Sequence, residues 1–399
     1  MDKFLINGPC KIKGKVSISG SKNASLPILA ATLLFDKPVI IKNLPRVRDI
    51  DTMLNLLKSL GSKIILSKDK MIAKIYNKKN MKSFASYSLV KTMRGSILVL
   101  GPLIAKYHKS KTSLPGGCLI GARPVNYHLA ALKKLGMKYE IKDGYILAKS
   151  RGKLKGAVIK FPKISVGATE NSIIAACLAK GKTTLKNCAI EPEIKDLADF
   201  LNALGADISG AGTNEIIIHG VKASDLGGVS YHVVPDRIEA ATYLIAGAGT
   251  RGDVTLHSVQ PAHLHALVHK LTEMGANVTT PEPNQVRIRV DKRLTAQNLV
   301  TLPYPGFPTD MQAPLMALLA ISDGTSVIRE TIYENRFNHV GNLKRMGADI
   351  EQEGNVAIVK GVEQLSGAEV NATDLRAAAA LIIAALEADG VSDIRDLHH

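Results

Sequence analysis

The sequence predicts an α/β protein of two domains, built from six copies of one repeated unit of which the sixth is incomplete. The chain has 399 residues, which is too long for a single hydrophobic core and suits two domains. A glycine-containing octet recurs five times at intervals of about 70 residues, and an apolar segment recurs six times. Such regular spacing is typical of a repeated supersecondary unit.

Each octet has the pattern of a helix end followed by a strand, as in Leu57-Lys-Ser-Leu-Gly-Ser-Lys-Ile64. A glycine directly after a helix commonly adopts the left-handed conformation that ends it. The octet glycines are Gly61, Gly136, Gly205, Gly275 and Gly347. We therefore expect a helix, a glycine cap and a strand at each of these positions.

The six apolar segments predict helices that are buried on nearly every side. They begin near Ser21, Thr92, Ala168, Pro235, Pro308 and Thr373 and continue into stretches rich in alanine and leucine. Strand patterns with β-branched residues follow them, for example Pro38-Val-Ile-Ile-Lys42. Each unit is thus expected to hold one buried helix, one helix facing water and several strands, with three units in each domain.

The predicted starts of the buried helices carry charged side chains, among them Lys22, Arg94, Arg237 and Arg376. Asp310 could be an ordinary helix cap. Cations are disfavoured at a helix N-terminus, where the helix dipole is positive. Their recurrence in several units indicates that these helix starts bind an anion through amides and cations together.

One loop, Leu114-Pro-Gly-Gly-Cys-Leu-Ile-Gly-Ala-Arg-Pro-Val125, combines a thiol with a guanidinium. Its glycines and prolines exclude a helix or a central strand. Glycine lets a ligand approach the backbone, and Arg123 is suited to phosphate. Nearby cations would lower the pKa of Cys118 and favour its reactivity.

Composition excludes several function classes. No signal-peptide pattern opens the chain and no apolar run is long enough for a membrane span, so we expect a soluble, cytoplasmic protein. Four cysteines without metal-ligand spacing indicate free thiols and no metal site. The net charge of +17 is concentrated in the first 200 residues, but tryptophan is absent and few aromatic residues interleave the lysines. Nucleic-acid binding is therefore not favoured.

The sequence resembles the UDP-N-acetylglucosamine enolpyruvyl transferases over its whole length. The motifs that carry this resemblance are Ser19-Gly-Ser-Lys-Asn-Ala24, Lys91-Thr-Met-Arg94, Leu114-Pro-Gly-Gly-Cys118, Gly121-Ala-Arg-Pro-Val125, Ser165-Val-Gly-Ala-Thr169, Pro235-Asp-Arg-Ile-Glu239, Phe307-Pro-Thr-Asp-Met-Gln312, Glu334-Asn-Arg-Phe337 and Ala372-Thr-Asp-Leu-Arg376. The resemblance implies two inside-out α/β barrels, the enolpyruvyl transferase fold. The first domain would span 22–232, and the second would combine 1–21 with 233–399.

The implied reaction, the first committed step of peptidoglycan synthesis, moves the enolpyruvyl group of phosphoenolpyruvate to the 3-hydroxyl of UDP-N-acetylglucosamine and releases phosphate. These two small molecules are the expected partners, and no cofactor or metal is needed. By resemblance, Cys118 donates a proton to the methylene carbon, is alkylated by fosfomycin, and lies in a loop that closes over the nucleotide sugar. Asp310 matches the base, and Lys22 is catalytic. The residues implied to bind phosphoenolpyruvate are Lys22, Asn23, Arg94, Arg123 and Arg376.

The resemblance also implies a nucleotide-sugar site that spans several units. Its residues are Asn23, Arg94, Arg123, Pro124, Val125, Asn126, Tyr127, Lys163, Ile164, Ser165, Val166, Asp310 and Ile332. Within it, the stretch 123–127 would bind uridine and 163–166 the diphosphate. The family usually has aspartate and leucine where this chain has Asn126 and Tyr127, so a weakened uracil contact is expected.

Two alternatives to this activity remain open. The sister enzyme that makes 5-enolpyruvylshikimate 3-phosphate shares the fold and phosphoenolpyruvate, but it needs neither Cys118 nor a nucleotide site. The other alternative is an impaired or regulatory protein that binds the nucleotide sugar without turnover. The repeat period would place a sixth octet glycine beyond His399, so we expect an incomplete sixth unit, weak turnover and retained binding.

Overall fold

The computed structural model describes residues 3–78, 81–85, 87–90, 93–114 and 125–396. Within them the chain forms two compact units. Unit 1 comprises residues 3–18 and 236–396, and unit 2 comprises the described residues from 19 to 235. The domain bounds expected from the resemblance stay a prediction.

The strands of the described residues are, in chain order, β1 (Phe4–Gly8), β2 (Lys13–Ser17), β3 (Val39–Lys42), β4 (Lys63–Leu66), β5 (Ala73–Tyr76), β6 (Phe84–Ala85), β7 (Lys109–Ser113), β8 (Met137–Lys142), β9 (Tyr145–Ser150), β10 (Val158–Lys160), β11 (Lys182–Lys186), β12 (Asp207–Ser209), β13 (Glu215–His219), β14 (Ser230–His232), β15 (Asp253–His257), β16 (Asn277–Thr279), β17 (Gln285–Arg289), β18 (Leu299–Val300), β19 (Thr325–Arg329), β20 (Asp349–Glu353), β21 (Val356–Lys360), β22 (Glu369–Asn371) and β23 (Gly390–Arg395).

The α-helices of the same residues are α1 (Lys22–Ala31), α2 (Arg48–Leu60), α3 (Tyr87–Val90), α4 (Leu100–Tyr107), α5 (Asn126–Lys134), α6 (Val166–Ala176), α7 (Pro192–Ala203), α8 (Arg237–Gly249), α9 (His265–Glu273), α10 (Gln312–Leu319), α11 (Val340–Arg345) and α12 (Leu375–Glu387). Short 3₁₀ segments at Arg94–Val99 and Thr309–Met311 lead into α4 and α10.

Six small sheets repeat one pairing pattern in the described residues. In unit 2 the strand orders are β14-β3-β5-β4, β6-β7-β9-β8 and β10-β11-β13-β12. In unit 1 they are β2-β15-β17-β16, β18-β19-β21-β20 and β22-β23-β1. In every sheet the first two strands of this order are parallel and the following strand is antiparallel. The predicted repeat and its six copies are confirmed.

The octet glycines adopt the predicted left-handed conformation that ends each helix. All five have positive φ, between 91° at Gly347 and 117° at Gly61, a region that is strained for residues with a Cβ. Each follows a helix and precedes a strand, as Gly61 does between α2 and β4. The prediction of helix, glycine cap and strand is therefore confirmed at all five octets.

The apolar segments lie in the hydrophobic cores of the two compact units. In α1 the side chains of Ile28 and Leu29 are fully buried, and in α10 those of Leu315 and Met316 are fully buried. Each such side chain contributes roughly 1.5–3 kcal/mol through removal from water. By contrast, α2 buries one face and exposes the other, as expected of the water-facing helix.

Candidate active site

Asp310 of unit 1 lies in the 3₁₀ turn that precedes α10. One oxygen of its carboxylate, Oδ1, accepts hydrogen bonds from Arg336 Nη2 at 2.6 Å and from Arg376 Nε at 2.7 Å. Arg336 comes from the segment before α11, and Arg376 is the second residue of α12. Three separate elements thus meet at one carboxylate oxygen. The sequence left open whether Asp310 caps a helix, and in the structure it does not.

The two guanidiniums determine the charge of Asp310. Burial alone would raise the pKa of the Asp310 carboxyl, but Arg376 and Arg336 outweigh burial and hold this pKa well below its usual range. Arg336 is almost completely buried, whereas a quarter of the Asp310 side chain is exposed. The carboxylate is therefore ionised at every physiological pH. The other carboxylate oxygen, Oδ2, has no hydrogen bond to any described residue, because both arginines donate to Oδ1.

Local capping positions Arg376. Asp374 is the N-cap of α12, and its Oδ1 accepts from the amides of Arg376 at 2.8 Å and Ala377 at 3.1 Å. The cap satisfies amides that have no partner within the helix and favours the helix dipole. The predicted helix start at this position is confirmed, and it directs the Arg376 side chain to Asp310.

Glu330 joins the loop of Asp310 to the loop of Ile332. Its side chain is 2% exposed. Oε2 accepts from Thr309 Oγ1 at 2.9 Å, and Oε1 accepts from the amides of Ile332 at 2.7 Å and Tyr333 at 3.2 Å. One buried carboxylate therefore links the side chain of Thr309, next to Asp310, to the backbone at Ile332 and Tyr333.

Arg237, the first residue of α8, lies in the same unit. Its guanidinium stacks over the ring of Tyr304 at 5.5 Å, and its charge also lowers the pKa of Asp310. A pocket beside it is lined by residues that include Tyr304, His263 and Pro308. Unit 1 thus gathers three arginines around one carboxylate, an arrangement suited to an anionic ligand.

In unit 2, Lys22 and Asn23 are the first two residues of α1. Ser21 caps this helix by accepting from the amide of Ala24 at 3.2 Å. The Lys22 ammonium pairs with Asp49 Oδ2 at 3.1 Å, and both side chains are partly exposed. The cation at this helix start is thus balanced by a carboxylate.

Arg94 begins the 3₁₀ segment that leads into α4. It lies close enough to His128 for its charge to lower the pKa of that imidazole, although burial is the larger cause, and the resulting value is about 4. Asn171 of α6 holds this region together. Its Nδ2 donates to Ile97 O at 3.1 Å, and its Oδ1 accepts from the amide of Gly101 at 2.8 Å.

Two helix N-termini carry the residues predicted to bind the nucleotide. α5 begins at Asn126, preceded by Val125, and the partly buried Tyr127 packs against the core of unit 2. α6 begins at Val166 after the cap Ser165, whose Oγ accepts from the amide of Ala168 at 3.4 Å. Lys163 and Ile164 are exposed in the loop before it. These helix starts, with Arg94, lie in one region of unit 2 around His128.

Three predicted site residues, Cys118, Arg123 and Pro124, lie outside the described residues, as does the rest of the predicted lid from 115 to 124. Of the other thiols, Cys177 and Cys188 are buried. Burial raises the pKa of each to about 12. Neither is a candidate nucleophile or acid at neutral pH.

Two residues of the site were not assigned a role from the sequence. Arg336 stands in the motif Glu334-Asn-Arg-Phe337, which could have pointed to it, because a buried arginine needs an anionic partner. Glu330 follows directly after β19 and offered no such signal. The described residues contain no cluster of three His, Cys, Asp or Glu side chains able to hold a metal ion. No helix in the described ranges is long and apolar enough to cross a membrane.

Comparisons with known proteins identify the family. The family model of EPSP synthase (3-phosphoshikimate 1-carboxyvinyltransferase) matches residues 6–399. The UDP-N-acetylglucosamine 1-carboxyvinyltransferase of Pelagibacter ubique is 54% identical over 399 residues, which cover 100% of this chain and 94% of that protein. The protein of the same name from Hamiltonella defensa is 51% identical over 403 residues, with coverage of 100% and 94%.

Solved structures show the same fold. The enolpyruvyl transferase NikO from Streptomyces tendae superposes with a TM-score of 0.88 at 24% identity, covering 100% of this chain and 93% of NikO. EPSP synthase from Acinetobacter baumannii superposes with a TM-score of 0.73 at 20% identity, with coverage of 99% and 94%. The predicted fold class is confirmed by these superpositions. With its sequence relatives at 50% identity and above, the chain is an enolpyruvyl transferase and belongs to the UDP-N-acetylglucosamine 1-carboxyvinyltransferase family.

Proposed function

We propose that this protein transfers the enolpyruvyl group of phosphoenolpyruvate to the 3-hydroxyl of UDP-N-acetylglucosamine and releases phosphate, the first committed step of peptidoglycan synthesis. The observation that carries the proposal is the Asp310 carboxylate held on one oxygen by Arg336 and Arg376, in a chain 54% identical to a relative of that name. Both substrates are small anionic molecules, and the protein is expected in the cytoplasm. No cofactor, nucleic acid or membrane partner is part of the proposal.

The arrangement around Asp310 supplies a base whose strength depends on the substrate. A general base works best when its pKa is near the working pH, and the two arginines hold the pKa of Asp310 far below it. An anion bound at Arg376 would compete for the guanidinium and raise the pKa of Asp310. The unused oxygen Oδ2 is then free to accept the proton of the sugar hydroxyl. Base catalysis would thus begin when phosphoenolpyruvate is bound.

Unit 2 supplies the other groups that the reaction needs. Lys22 and Arg94 are cations at helix starts, where amides add to anion binding, and they would bind the phosphate and carboxylate of phosphoenolpyruvate. Asp49 would release the Lys22 ammonium as the ligand replaces it. The starts of α5 and α6 would bind uridine and diphosphate. The tetrahedral adduct would then lose a proton from its methyl group together with phosphate, which regenerates the carbon–carbon double bond, and the same cations would stabilise the leaving phosphate.

Cys118 is proposed as the acid that delivers a proton to the methylene carbon, which requires an accessible thiol of low pKa. We expect one equivalent of iodoacetamide at pH 7 to label Cys118 well before Cys177 or Cys188, since burial raises the pKa of these two thiols to about 12. Peptide mapping by mass spectrometry measures the order of labelling. Faster alkylation of Cys177 or Cys188 than of Cys118 would remove the thiol from the proposal.

The activity is tested by phosphate release from phosphoenolpyruvate with UDP-N-acetylglucosamine as the acceptor. We expect release only when this acceptor is present. Shikimate 3-phosphate serves as the control acceptor, because the matching family model is described as EPSP synthase. Release with shikimate 3-phosphate alone would assign the sister reaction. Binding of the nucleotide sugar by calorimetry without any release would instead assign a binding protein.

A further inference from the structure

The outer face of the sheet β6-β7-β9-β8 in unit 2 carries an excess of positive charge. The acidic residue of its four strands is Glu140, and these strands contain no arginine. Side chains alternate between the two faces of a strand, and the buried residues Ser110, Met137 and Ala148 mark the inner face. The exposed lysines all lie on the opposite, outer face: Lys109, Lys111, Lys138, Lys142 and Lys149.

Three of these lysines form one row across neighbouring strands, which we call the lysine row. Lys149 of β9 lies directly opposite Lys109 of β7 on one side and Lys138 of β8 on the other. Neighbouring strands are about 4.8 Å apart, so the three side chains begin within about 10 Å of one another. None of the three forms an ion pair with a residue that the structure describes. Like charges directly opposite each other destabilise a sheet, so the lysine row opposes the stability of this sheet.

The repeat supplies an internal comparison. In three of the other sheets, the row that begins at the first residue of the second strand combines a basic with an acidic side chain. These rows are Lys182-His219-Asp207, Asp253-Arg289-Asn277 and Thr325-Lys360-Asp349. The fold therefore does not require like charges at this position. A local rule that is broken in one copy of a repeat is typical of a functional surface.

The composition of the face favours a partner with many dispersed negative charges. Lysine is a hydrated point charge and lacks the planar fork with which arginine binds a single phosphate. Lys111 Nζ lies over two rings of the same face, 5.1 Å from the centroid of Phe84 and 4.7 Å from that of Tyr145. A nucleic-acid base would have to displace this ammonium in order to stack there. An extended peptide that adds to the edge strand β8 would run along that strand and meet only Lys138 of the row.

We propose that this face is a docking surface for a membrane rich in anionic lipids, with the lysine row as its main contact. A planar anionic surface meets all three lysines of the row at once, and each lysine close to such a surface adds to the attraction. Phe84 is 45% exposed beside Lys111 and can enter the headgroup region. The contact is peripheral and reversible, because it depends on charges that salt screens. The inference goes beyond the proposed reaction and does not depend on it.

Co-sedimentation of the full chain with lipid vesicles tests the surface. At about 0.1 M salt, the wild-type protein should bind vesicles of phosphatidylglycerol and phosphatidylcholine in equal parts, and it should bind pure phosphatidylcholine vesicles at least about tenfold less. Salt at about 1 M should release the protein, because the Debye length falls to about 3 Å. This comparison uses the wild-type protein alone and so needs no variant to fold.

The row variant combines Lys109→Gln, Lys138→Gln and Lys149→Gln. Its partition coefficient on the anionic vesicles should fall on the order of 100-fold, since three lysines near the lipid surface are lost. Its Tm should equal or exceed that of wild type, because the repulsion between opposite lysines is removed. The three lysines are not among the residues proposed to bind either substrate, so phosphate release in solution should stay at the wild-type rate.

A control variant lowers the net charge by the same amount at three exposed lysines that are dispersed over other surfaces. It combines Lys58→Gln, Lys222→Gln and Lys292→Gln. Its partition coefficient should stay within about threefold of wild type, because distant charges are screened. Equal losses in the two variants, or equal binding of wild type to neutral and anionic vesicles, would overturn the inference. Tighter retention of wild type on a single-stranded oligonucleotide or on polyglutamate than on the vesicles would assign the face to another partner and overturn it as well. Absence of phosphate release by wild type would bear on the proposed reaction alone.

Discussion

Asp310→Asn is expected to lower kcat by about 10²- to 10⁴-fold, the usual contribution of a positioned general base. Asparagine keeps the shape of the side chain and can still accept from Arg336 and Arg376 through one oxygen, but it cannot take up the proton of the sugar hydroxyl. The KM for UDP-N-acetylglucosamine should change far less than kcat. Steady-state phosphate release measures both quantities.

The stability of the same variant separates catalysis from structure. The side chain of Arg336 is 4% exposed. Asparagine at position 310 leaves this buried guanidinium with a hydrogen-bond acceptor but without a counter-charge, and loss of a buried ion pair typically costs up to about 3–5 kcal/mol. Because the folded-state pKa of Asp310 is depressed, its stabilising effect is complete above the unfolded pKa of about 3.9 and is lost as the pH falls through the folded value. The stability gap between wild type and Asp310→Asn should therefore be constant from pH 5 to 8 and shrink in stronger acid.

Two controls distinguish loss of the catalytic base from loss of folded protein. Asp291→Asn changes an exposed carboxylate that pairs with Arg289 at the surface, and neither activity nor stability should respond. Assays at a temperature well below the Tm of the variant ensure that the folded protein is measured. A kcat within threefold of wild type for folded Asp310→Asn would exclude Asp310 as the base.

Glu387→Met is expected to stabilise the protein at neutral pH by about 1–3 kcal/mol, the usual cost of a buried polar group without a partner. Glu387 is 5% exposed, and neither of its carboxylate oxygens has a hydrogen bond to a described residue. It is the last residue of α12, where the helix dipole disfavours negative charge. Its Oε1 lies 1.5 Å from where a Cβ of Gly249 would be, so the carboxyl packs closely against α8. Methionine has a similar length and no polar group.

The pH dependence identifies the cause. Burial raises the pKa of Glu387 well above its ordinary value, so between the unfolded and folded pKa values the folded chain binds more protons than the unfolded chain. Stability then falls as the pH rises through this interval. The stabilising effect of Glu387→Met should consequently be larger at pH 7.5 than at pH 5. Thermal unfolding at both pH values measures it.

Glu351→Met is the control for Glu387. Glu351 is exposed and pairs with Lys360 across the surface of a sheet, so its replacement should change the stability by less than about 0.5 kcal/mol at either pH. A Glu387→Met protein that is less stable than wild type, or a gain that shrinks with rising pH, would show that the Glu387 carboxyl has a partner in solution.

The repeat made the fold predictable. A glycine cap requires only local geometry, so the octets at Gly61 and Gly347 could be placed from sequence alone, and the buried helices followed from their apolar composition. The 3₁₀ turns before α4 and α10 were not foreseen, because short 3₁₀ and α segments share the same apolar pattern. The 3₁₀ turn before α10 contains Asp310, whose carboxylate is directed to two arginines instead of capping α10.

The site was less predictable than the fold. Anion binding by the charged helix starts stays a prediction, and the partners of these charges lie far along the chain. Asp310 lies 66 residues from Arg376 and 26 residues from Arg336 in the sequence. No spacing rule connects such pairs, since they meet only when separate elements pack.

The pairing of β1 and β2 delays their folding during protein synthesis. β2 pairs with β15, and β1 pairs with β23 in the register Phe4 to Ile394, so these two strands need partners that are synthesised much later. At typical synthesis rates the wait is on the order of tens of seconds. Unit 2, whose residues form a compact body of their own, can fold during that time. The nascent chain therefore carries β1 and β2 unpaired until β15 and β23 have been made.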